Sequence, residues 1–151
     1  MKKPITIRAV RVVGPLALDI DWSTGETLRL NMSGLTAPPF DALREPDCFA
    51  QVEIEPWAGH GLDWPGGLSM DSDRLYTLCR EQAGMPTAEA FDAWMRRNGL
   101  SLATAAESLG MTRRMIAYYR TGNSPIPKVV GLACKGWEAQ RQERQQGAAR
   151  A

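Results

Sequence analysis

The chain has 151 residues, 44% of them hydrophobic and 23% charged, which suits one ordinary globular domain or two small ones. No apolar run approaches the roughly 20 residues that span a bilayer. The three cysteines are far apart, with no C-x-x-C pair, so the pattern favours free thiols in a reducing cytoplasm over a disulfide framework. The start, Met-Lys-Lys-Pro, leads into an alternating segment, so we expect no signal peptide.

The net charge of +1 conceals a division of charge along the chain. Residues 1–84 carry 8 Lys and Arg against 12 Asp and Glu, a net charge of −4. Residues 85–151 carry 10 against 5, a net charge of +5. This asymmetry is typical of an acidic, partner-facing module joined to a basic nucleic-acid module.

Alternating apolar residues predict three strands between residues 5 and 32. The first runs from Ile5 to Val13 and ends at Gly14-Pro15. The second runs from Leu16 to Trp22, and a short hairpin connection at residues 23–25 returns the chain along Thr27–Met32. These strands predict a small, mainly antiparallel sheet.

The rest of the first half predicts a short helix near Phe40–Leu43, which Glu45-Pro46-Asp47 ends. A fourth strand is predicted from Phe49 to Glu55, and a helix capped by Asp71 or Ser72 extends to about Ala83. Trp57 and Trp64 flank the single histidine, His60. They fill the core of the small sheet or line a ligand pocket, and the first interpretation is favoured.

Three segments of this half resemble a known family, the domain of unknown function numbered 2442. They are Trp-Ser-Thr-Gly-Glu at residues 22–26, the link from Phe40 to Phe49, and Leu-Asp-Trp-Pro-Gly-Gly at residues 62–67. The resemblance covers most of residues 5–80 and implies a small α+β module with one or two helices, over residues 1–84. Such modules occur in bacteria beside toxin–antitoxin genes, which implies a role in partner binding or dimerisation. It implies no catalytic residue.

Gly84-Met85-Pro86 is the predicted joint, because Pro86 disfavours helical geometry at Met85. Thr87 begins a helix with a buried stripe of Phe91, Trp94 and Met95. Helical spacing returns at Ile126, Val129, Val130, Ala133 and Trp137. Residues 85–139 therefore predict an all-α bundle of four or five helices. Residues 140–151 are polar and are expected to fray or to stay disordered.

Within the bundle, residues 100–122 predict two helices joined by a tight turn. Ser101 and Thr112 are the expected N-caps, and Gly110 is the expected left-handed residue of the turn. Ala105 and Ala106 give the first helix a small apolar face, so the two helices can approach closely. Ile116 and Tyr119 turn the second helix toward the first.

The opposite face of the second helix is predicted to collect Arg113, Arg114, Ala117, Tyr118 and Thr121. Two arginines in a first turn oppose the positive end of the helix dipole, at a cost of roughly 0.3–1 kcal/mol each. A phosphate or a guanine edge would offset that cost. The alternative is that they are ordinary solvated arginines. For Tyr118 two interpretations are open, contact with the groove and partial packing in the core.

Residues 87–137 resemble the lambda-repressor-like (Xre) helix-turn-helix family, through Ser101, Ala106, Gly110, Thr112, Ile116, the 119–122 end and the run from Pro127. The resemblance implies that the second motif helix enters the major groove, where Arg113, Arg114 and Tyr118 match base-contacting positions. Leu102 departs from the pattern, because many members carry a glutamine there that braces a phosphate and a base-contacting side chain. The predicted DNA-binding residues are Arg113, Arg114, Ala117, Tyr118, Thr121, Thr112, Ser101 and Lys128, with Arg96, Arg97 and Lys135 as further phosphate-contact candidates.

The sequence therefore predicts a cytoplasmic, sequence-specific DNA-binding transcriptional regulator, with an antitoxin-type autorepressor as its specific form. The expected partners are double-stranded DNA, a second copy of the chain, and a toxin-like protein at the first module. No enzyme, cofactor or metal site is expected, because a lone histidine offers neither a metal cluster nor a complete nucleophilic scheme. The alternative is a protein-interaction adaptor whose helix-turn-helix fold no longer binds DNA.

Overall fold

The computed structural model describes residues 3–150, apart from the side chain of Arg150. These residues fall into two compact units, one over residues 4–84 and the other over residues 85–150 with Lys3. The fold is mixed α/β, with two small antiparallel sheets in the first half of the chain and most of the helices in the second. Among the described residues, no helix combines the length and the apolar character needed to cross a membrane.

The first sheet has the order β1-β2-β3, with β1 at Ile7–Gly14, β2 at Ala17–Trp22 and β3 at Thr27–Asn31. Alternate residues of β2 are fully buried, and Leu18 lies opposite Leu30 across the antiparallel pair. Period-two alternation is the pattern of a sheet with one buried face, so the three predicted strands are confirmed.

The predicted strand over Phe49–Glu55 is confirmed only at Glu53–Ile54, and its first part is wrong. A 3₁₀ helix at Phe40–Arg44 leads directly into α1 at Pro46–Phe49, and β4 is confined to Glu53–Ile54. The predicted short helix near Phe40–Leu43 is therefore confirmed, and it ends before Pro46 as expected. Pro46 also begins α1, because at a first helical position its missing N–H is no loss and its fixed φ suits the helix.

A second antiparallel sheet has the order β4-β5-β6, with β5 at Gly61–Trp64 and β6 at Leu68–Asp71. Helix α2 follows immediately at Ser72–Gln82 with Asp71 as its N-cap residue, which confirms the predicted helix. The two sheets, α1 and α2 enclose one hydrophobic core. Its most completely buried side chains are Leu18, Ile20, Trp22, Leu30, Met32, Leu43, Leu62, Leu75 and Cys79.

The last residue of α2 closes one edge of the first sheet. The Gln82 side chain accepts a hydrogen bond from the Asn31 N–H at 2.7 Å and donates one to the Asn31 carbonyl at 2.9 Å. Both backbone groups of an edge residue are therefore satisfied by one side chain.

The second unit contains four helices, within the predicted number. They are α3 at Ala88–Arg97, α4 at Leu102–Leu109, α5 at Arg113–Thr121 and α6 at Lys128–Arg150. Trp94 on α3 donates its indole N–H to the Cys134 carbonyl on α6 at 3.1 Å, which ties these helices inside the core. The buried residues are Phe91, Trp94, Met95, Ala105, Ala106, Ile116, Tyr119, Ile126, Val130 and Cys134.

Helix α6 corrects two predictions. The segment expected to fray is helical to the end of the described range, and Ala151 lies outside that range. Its Gln, Glu, Arg and Ala residues are good helix formers, and the Arg141 side chain donates to the Asn98 carbonyl at 2.9 Å. Val129 is 68% exposed and Ala133 is also exposed, because the buried stripe follows Val130 and Cys134.

Candidate nucleic-acid interface

The turn between α4 and α5 is built by capping interactions on both sides. Gly110 has φ 67°, and the Met111 N–H donates to the Ala106 carbonyl at 2.9 Å. The Thr112 hydroxyl accepts the Met115 N–H at 3.2 Å and so begins α5. Since glycine adopts this left-handed backbone without a steric penalty, the N-cap of α5 lies only two residues after the turn glycine.

Ser101 begins α4 with a reciprocal capping box. Its hydroxyl accepts the Thr104 N–H at 3.1 Å, and the Thr104 hydroxyl accepts the Ser101 N–H at 2.8 Å. The two predicted N-caps, Ser101 and Thr112, are therefore confirmed. Both residues are also exposed, as a contact with an external group requires.

The inner face of α5 fixes which face points outward. Ile116 is fully buried and Tyr119 is 5% exposed, and both pack in the same core as Ala105 and Ala106. The Tyr119 ring meets the Phe91 ring edge to face, with centroids 5.9 Å apart. With these side chains locked inward, the opposite face of α5 is directed away from the core.

That opposite face carries the predicted set. Arg113, Arg114 and Thr121 are exposed, and Ala117 and Tyr118 are half-buried. The first turn of α5 holds no acidic residue. Within residues 3–150, the structure gives Arg113 neither a hydrogen bond nor an ion pair, so its guanidinium is open to an external acceptor.

Arg114 and Tyr118 form a pair that sequence reasoning did not foresee. The Arg114 Nε–H donates to the Tyr118 hydroxyl at 2.7 Å, and the guanidinium carbon lies 5.4 Å from the centre of the Tyr118 ring. The i, i+4 spacing was the available signal, because such residues are neighbours on a helix surface. Tyr118 is thus half-buried, and its hydroxyl is in contact with the exposed Arg114.

Two other predicted residues are also placed. The Thr121 hydroxyl donates to the Ala117 carbonyl at 2.9 Å, so its proton is already used within α5. Lys128 is exposed at the first position of α6, and Lys135 is exposed about two turns further along the same helix.

Three other arginines of this unit, Arg96, Arg97 and Arg120, differ in having carboxylate partners. Asp92 accepts hydrogen bonds from Arg120 at 2.7 Å and from Arg96 at 2.8 Å, and these bonds lower the pKa of Asp92. Arg97 pairs with Glu138 at 2.8 Å and, as the largest cause, lowers the pKa of that carboxyl. Arg96 and Arg97, predicted as phosphate contacts, are therefore held by side chains of the same unit.

The alternative pocket between Trp57 and Trp64 is not formed. Trp64 is 4% exposed, and Trp57 is 92% exposed, so Trp57 belongs neither to the core nor to a shared cavity. The loop is instead organised by Glu55, whose carboxylate accepts N–H groups from residues 57, 58 and 60 at 2.8–3.1 Å. These bonds, the one from His60 first, lower the pKa of Glu55.

A buried cluster in the first unit also escaped the sequence analysis. Arg80 is 3% exposed and donates to Glu26 at 2.8 Å, and Glu26 also accepts hydrogen bonds from Tyr76 and Thr24. Burial alone would raise the pKa of Glu26, but the three donors outweigh it and lower that pKa. Glu26 and Arg80 are 54 positions apart, so no local spacing could have indicated the contact.

Comparison with known proteins adds two similarities. Residues 7–81 match the family model "Protein of unknown function (DUF2442)", which confirms the resemblance of the first half. The chain is also similar to the crystal structure of Putative DNA Binding Protein NE0471 from Nitrosomonas europaea ATCC 19718, with 41% sequence identity and a TM-score of 0.72. The match covers 91% of this chain and 88% of that one. None of the curated proteins matches the chain.

Proposed function

This chain belongs to the same protein family as NE0471 of Nitrosomonas europaea, and from that premise we propose that it is a sequence-specific transcriptional regulator that binds double-stranded DNA. In this proposal, α4 and α5 act as a helix-turn-helix of the lambda-repressor-like class, and the start of α5 enters the major groove. The DNA-binding domain is residues 85–139. Its contact residues are Arg113, Arg114, Ala117, Tyr118, Thr121, Thr112, Ser101 and Lys128.

The observation that carries the proposal is the state of the two arginines at the start of α5. Both are exposed and have no carboxylate partner among the described residues, whereas Arg96, Arg97 and Arg120 are each paired with an acidic side chain. Cations at the positive end of a helix are unfavourable by a few tenths of a kcal/mol to about 1 kcal/mol each. A phosphate oxygen or the O6 and N7 atoms of guanine would supply the missing negative partner.

The proposal includes a homodimer and a partner for the acidic half. One small module buries little DNA surface, so specific binding calls for two copies on half-sites about one helical turn apart. The first module, residues 1–84 with their net negative charge, would then form the dimer or bind a toxin-like protein. The specific form of the proposal is an antitoxin-type autorepressor that works in the cytoplasm. No enzymatic activity is part of the proposal.

Selection from a random DNA pool, followed by a salt titration, tests the proposal. The full chain is expected to enrich one sequence with two half-sites, and its binding constant should fall steeply with salt concentration. Arg113→Ala should weaken binding and reduce the slope of log K against log salt by about 1. Arg144→Ala, which removes the same charge from the exposed second half of α6, is the control and should change the slope less.

Leu102 supports a second candidate function, an adaptor that keeps the fold but binds protein. It is 37% exposed at the first position of α4, where many lambda-repressor-like proteins carry a DNA-bracing glutamine. An adaptor would show negligible affinity for every DNA sequence even at low salt. Enrichment of a specific site would instead exclude it.

A further inference from the structure

The two arginines at the start of α5 are in different states before any ligand arrives. Arg114 has its Nε–H on the Tyr118 hydroxyl and its guanidinium near the Tyr118 ring, whereas Arg113 has no partner among residues 3–150. The same side-chain chemistry is therefore presented once in a fixed orientation and once without a partner among the described residues.

We propose that Tyr118 is a positioning residue, which holds Arg114 so that it reads a single guanine in the major groove, while Arg113 contacts the phosphate backbone. This inference rests on the proposed function and assigns different tasks to residues that the proposal treats alike. Tyr118 does not contact a base edge itself.

The hydrogen-bond inventory of Arg114 supports this assignment. A guanidinium has five N–H donors, and the bond to Tyr118 uses the one on Nε. The four that remain are on the two terminal nitrogens, whose outer edge matches the O6 and N7 acceptors of guanine. With Nε occupied, the side-on approach through Nε is closed and only this end-on approach is left.

The orientation of Arg114 also carries an entropic advantage. A long side chain loses rotamer freedom when it is fixed at an interface, and a side chain already held in its binding geometry loses less. Tyr118 meets this requirement through two different contacts, one at its hydroxyl and one at its ring face. Arg113 lacks such support, which suits a phosphate contact because phosphates carry no sequence information and tolerate a mobile cation.

Base preferences of single and double variants test the inference with the full chain and the site enriched by selection. The wild-type protein should prefer guanine at one position by about 5- to 150-fold over the other bases. Arg114→Ala should abolish that preference. Tyr118→Phe keeps the ring but loses the acceptor, and should reduce the same preference by about 2- to 10-fold.

A merely structural role of Tyr118 would change the base preference at many positions of the DNA site, whereas a positioning role changes it at one. Tyr118→Phe should leave the preferences at all other positions and the salt slope unchanged, and the double variant Arg114→Ala, Tyr118→Phe should match Arg114→Ala alone. Arg113→Ala should weaken binding to all sequences about equally. Tyr119→Phe removes the same hydroxyl from the buried neighbour and should leave the guanine preference intact, and circular dichroism checks that each variant is folded.

Several outcomes would overturn the inference. Tyr118→Phe could leave the preference for guanine unchanged, could alter the preference at a different base pair, or could add a further loss in the Arg114→Ala background. Each of these would show that Tyr118 does not act through Arg114, while specific binding by the wild-type protein would still uphold the proposed function. If the wild-type protein enriches no sequence, the proposed function and the inference both fail.

Discussion

Two glycines of α6 provide a matched test of how the second unit packs. A Cβ built at Gly131 would lie 2.5 Å from Pro86 Cγ, a distance that real Cβ contacts do not show, whereas a Cβ at Gly136 would meet no atom within 4 Å. Both residues lie inside the same helix. The substitution by alanine is therefore chemically identical at the two positions and differs only in what the new methyl group touches.

The expected magnitudes follow from helix propensity and overpacking. Gly136→Ala should stabilise the unit by about 0.8–1.0 kcal/mol, the difference between alanine and glycine in a helix interior. Gly131→Ala gains the same amount but forces a methyl group against a proline ring, and overpacking costs typically 1–3 kcal/mol. The net effect at Gly131 should be a loss of up to about 2 kcal/mol.

Thermal unfolding of the full chain, followed by circular dichroism at about 222 nm, measures the difference. For a unit of this size, 1 kcal/mol corresponds to about 4–8 °C in Tm, so the two variants should shift Tm in opposite directions. Adding Pro86→Ala to Gly131→Ala should recover part of the loss, because the ring is then removed. If both glycine variants raise Tm equally, Pro86 does not pack against α6 and the reasoning is refuted.

Three further predictions concern the capping, the ion pairs and the thiols. Thr112→Ala should destabilise the protein by about 1 kcal/mol in urea titrations, because α5 loses its N-cap. Thr112→Ser should retain most of the stability. An alanine variant as stable as the wild type would contradict the capping role. Because Arg120 and Arg96 lower the pKa of Asp92 from its ordinary value of 3.8, the interaction stabilises the fold above that value and is lost as pH falls through the lowered pKa. Asp92→Asn should therefore lose less stability than the wild type during acid titration, and parallel titration curves would argue against the pairing. Cys48 should react first with a thiol reagent near neutral pH. Burial raises the pKa of the other two thiols, to about 12 for Cys79 and about 11 for Cys134. Rapid modification of all three thiols in the folded protein would contradict that burial.

The features that were predictable from sequence are those that short-range patterns encode. The strands of the first sheet follow from alternation, and the caps at Ser101, Gly110 and Thr112 follow from residue chemistry at fixed offsets. The outward face of α5 follows from the 3.6-residue period once Ile116 and Tyr119 are placed inward. Each of these arguments needs only residues within a few positions of one another.

The features that were missed depend on contacts or on competing local rules. Pro46 ends one helix as predicted, but it also begins α1, which was not foreseen. The helical state of residues 140–150 is assisted by Arg141, which contacts Asn98, a residue 43 positions away. Trp57 is exposed although tryptophan is usually buried, because Glu55 fixes the loop through backbone N–H groups and leaves that indole outside. Only the Arg141 contact is long-range; the other two cases depend on which of several local rules applies.

The bond pair between Gln82 and Asn31 limits how far the first sheet can extend. The side-chain amide imitates the peptide unit of an additional strand, and it terminates the ladder where an incoming segment would otherwise attach. A glutamate at this position could still accept from the Asn31 N–H, but it would have no proton to offer the carbonyl at neutral pH. The Gln82 amide nitrogen therefore keeps the Asn31 carbonyl from accepting a hydrogen bond from an additional strand at the β3 edge.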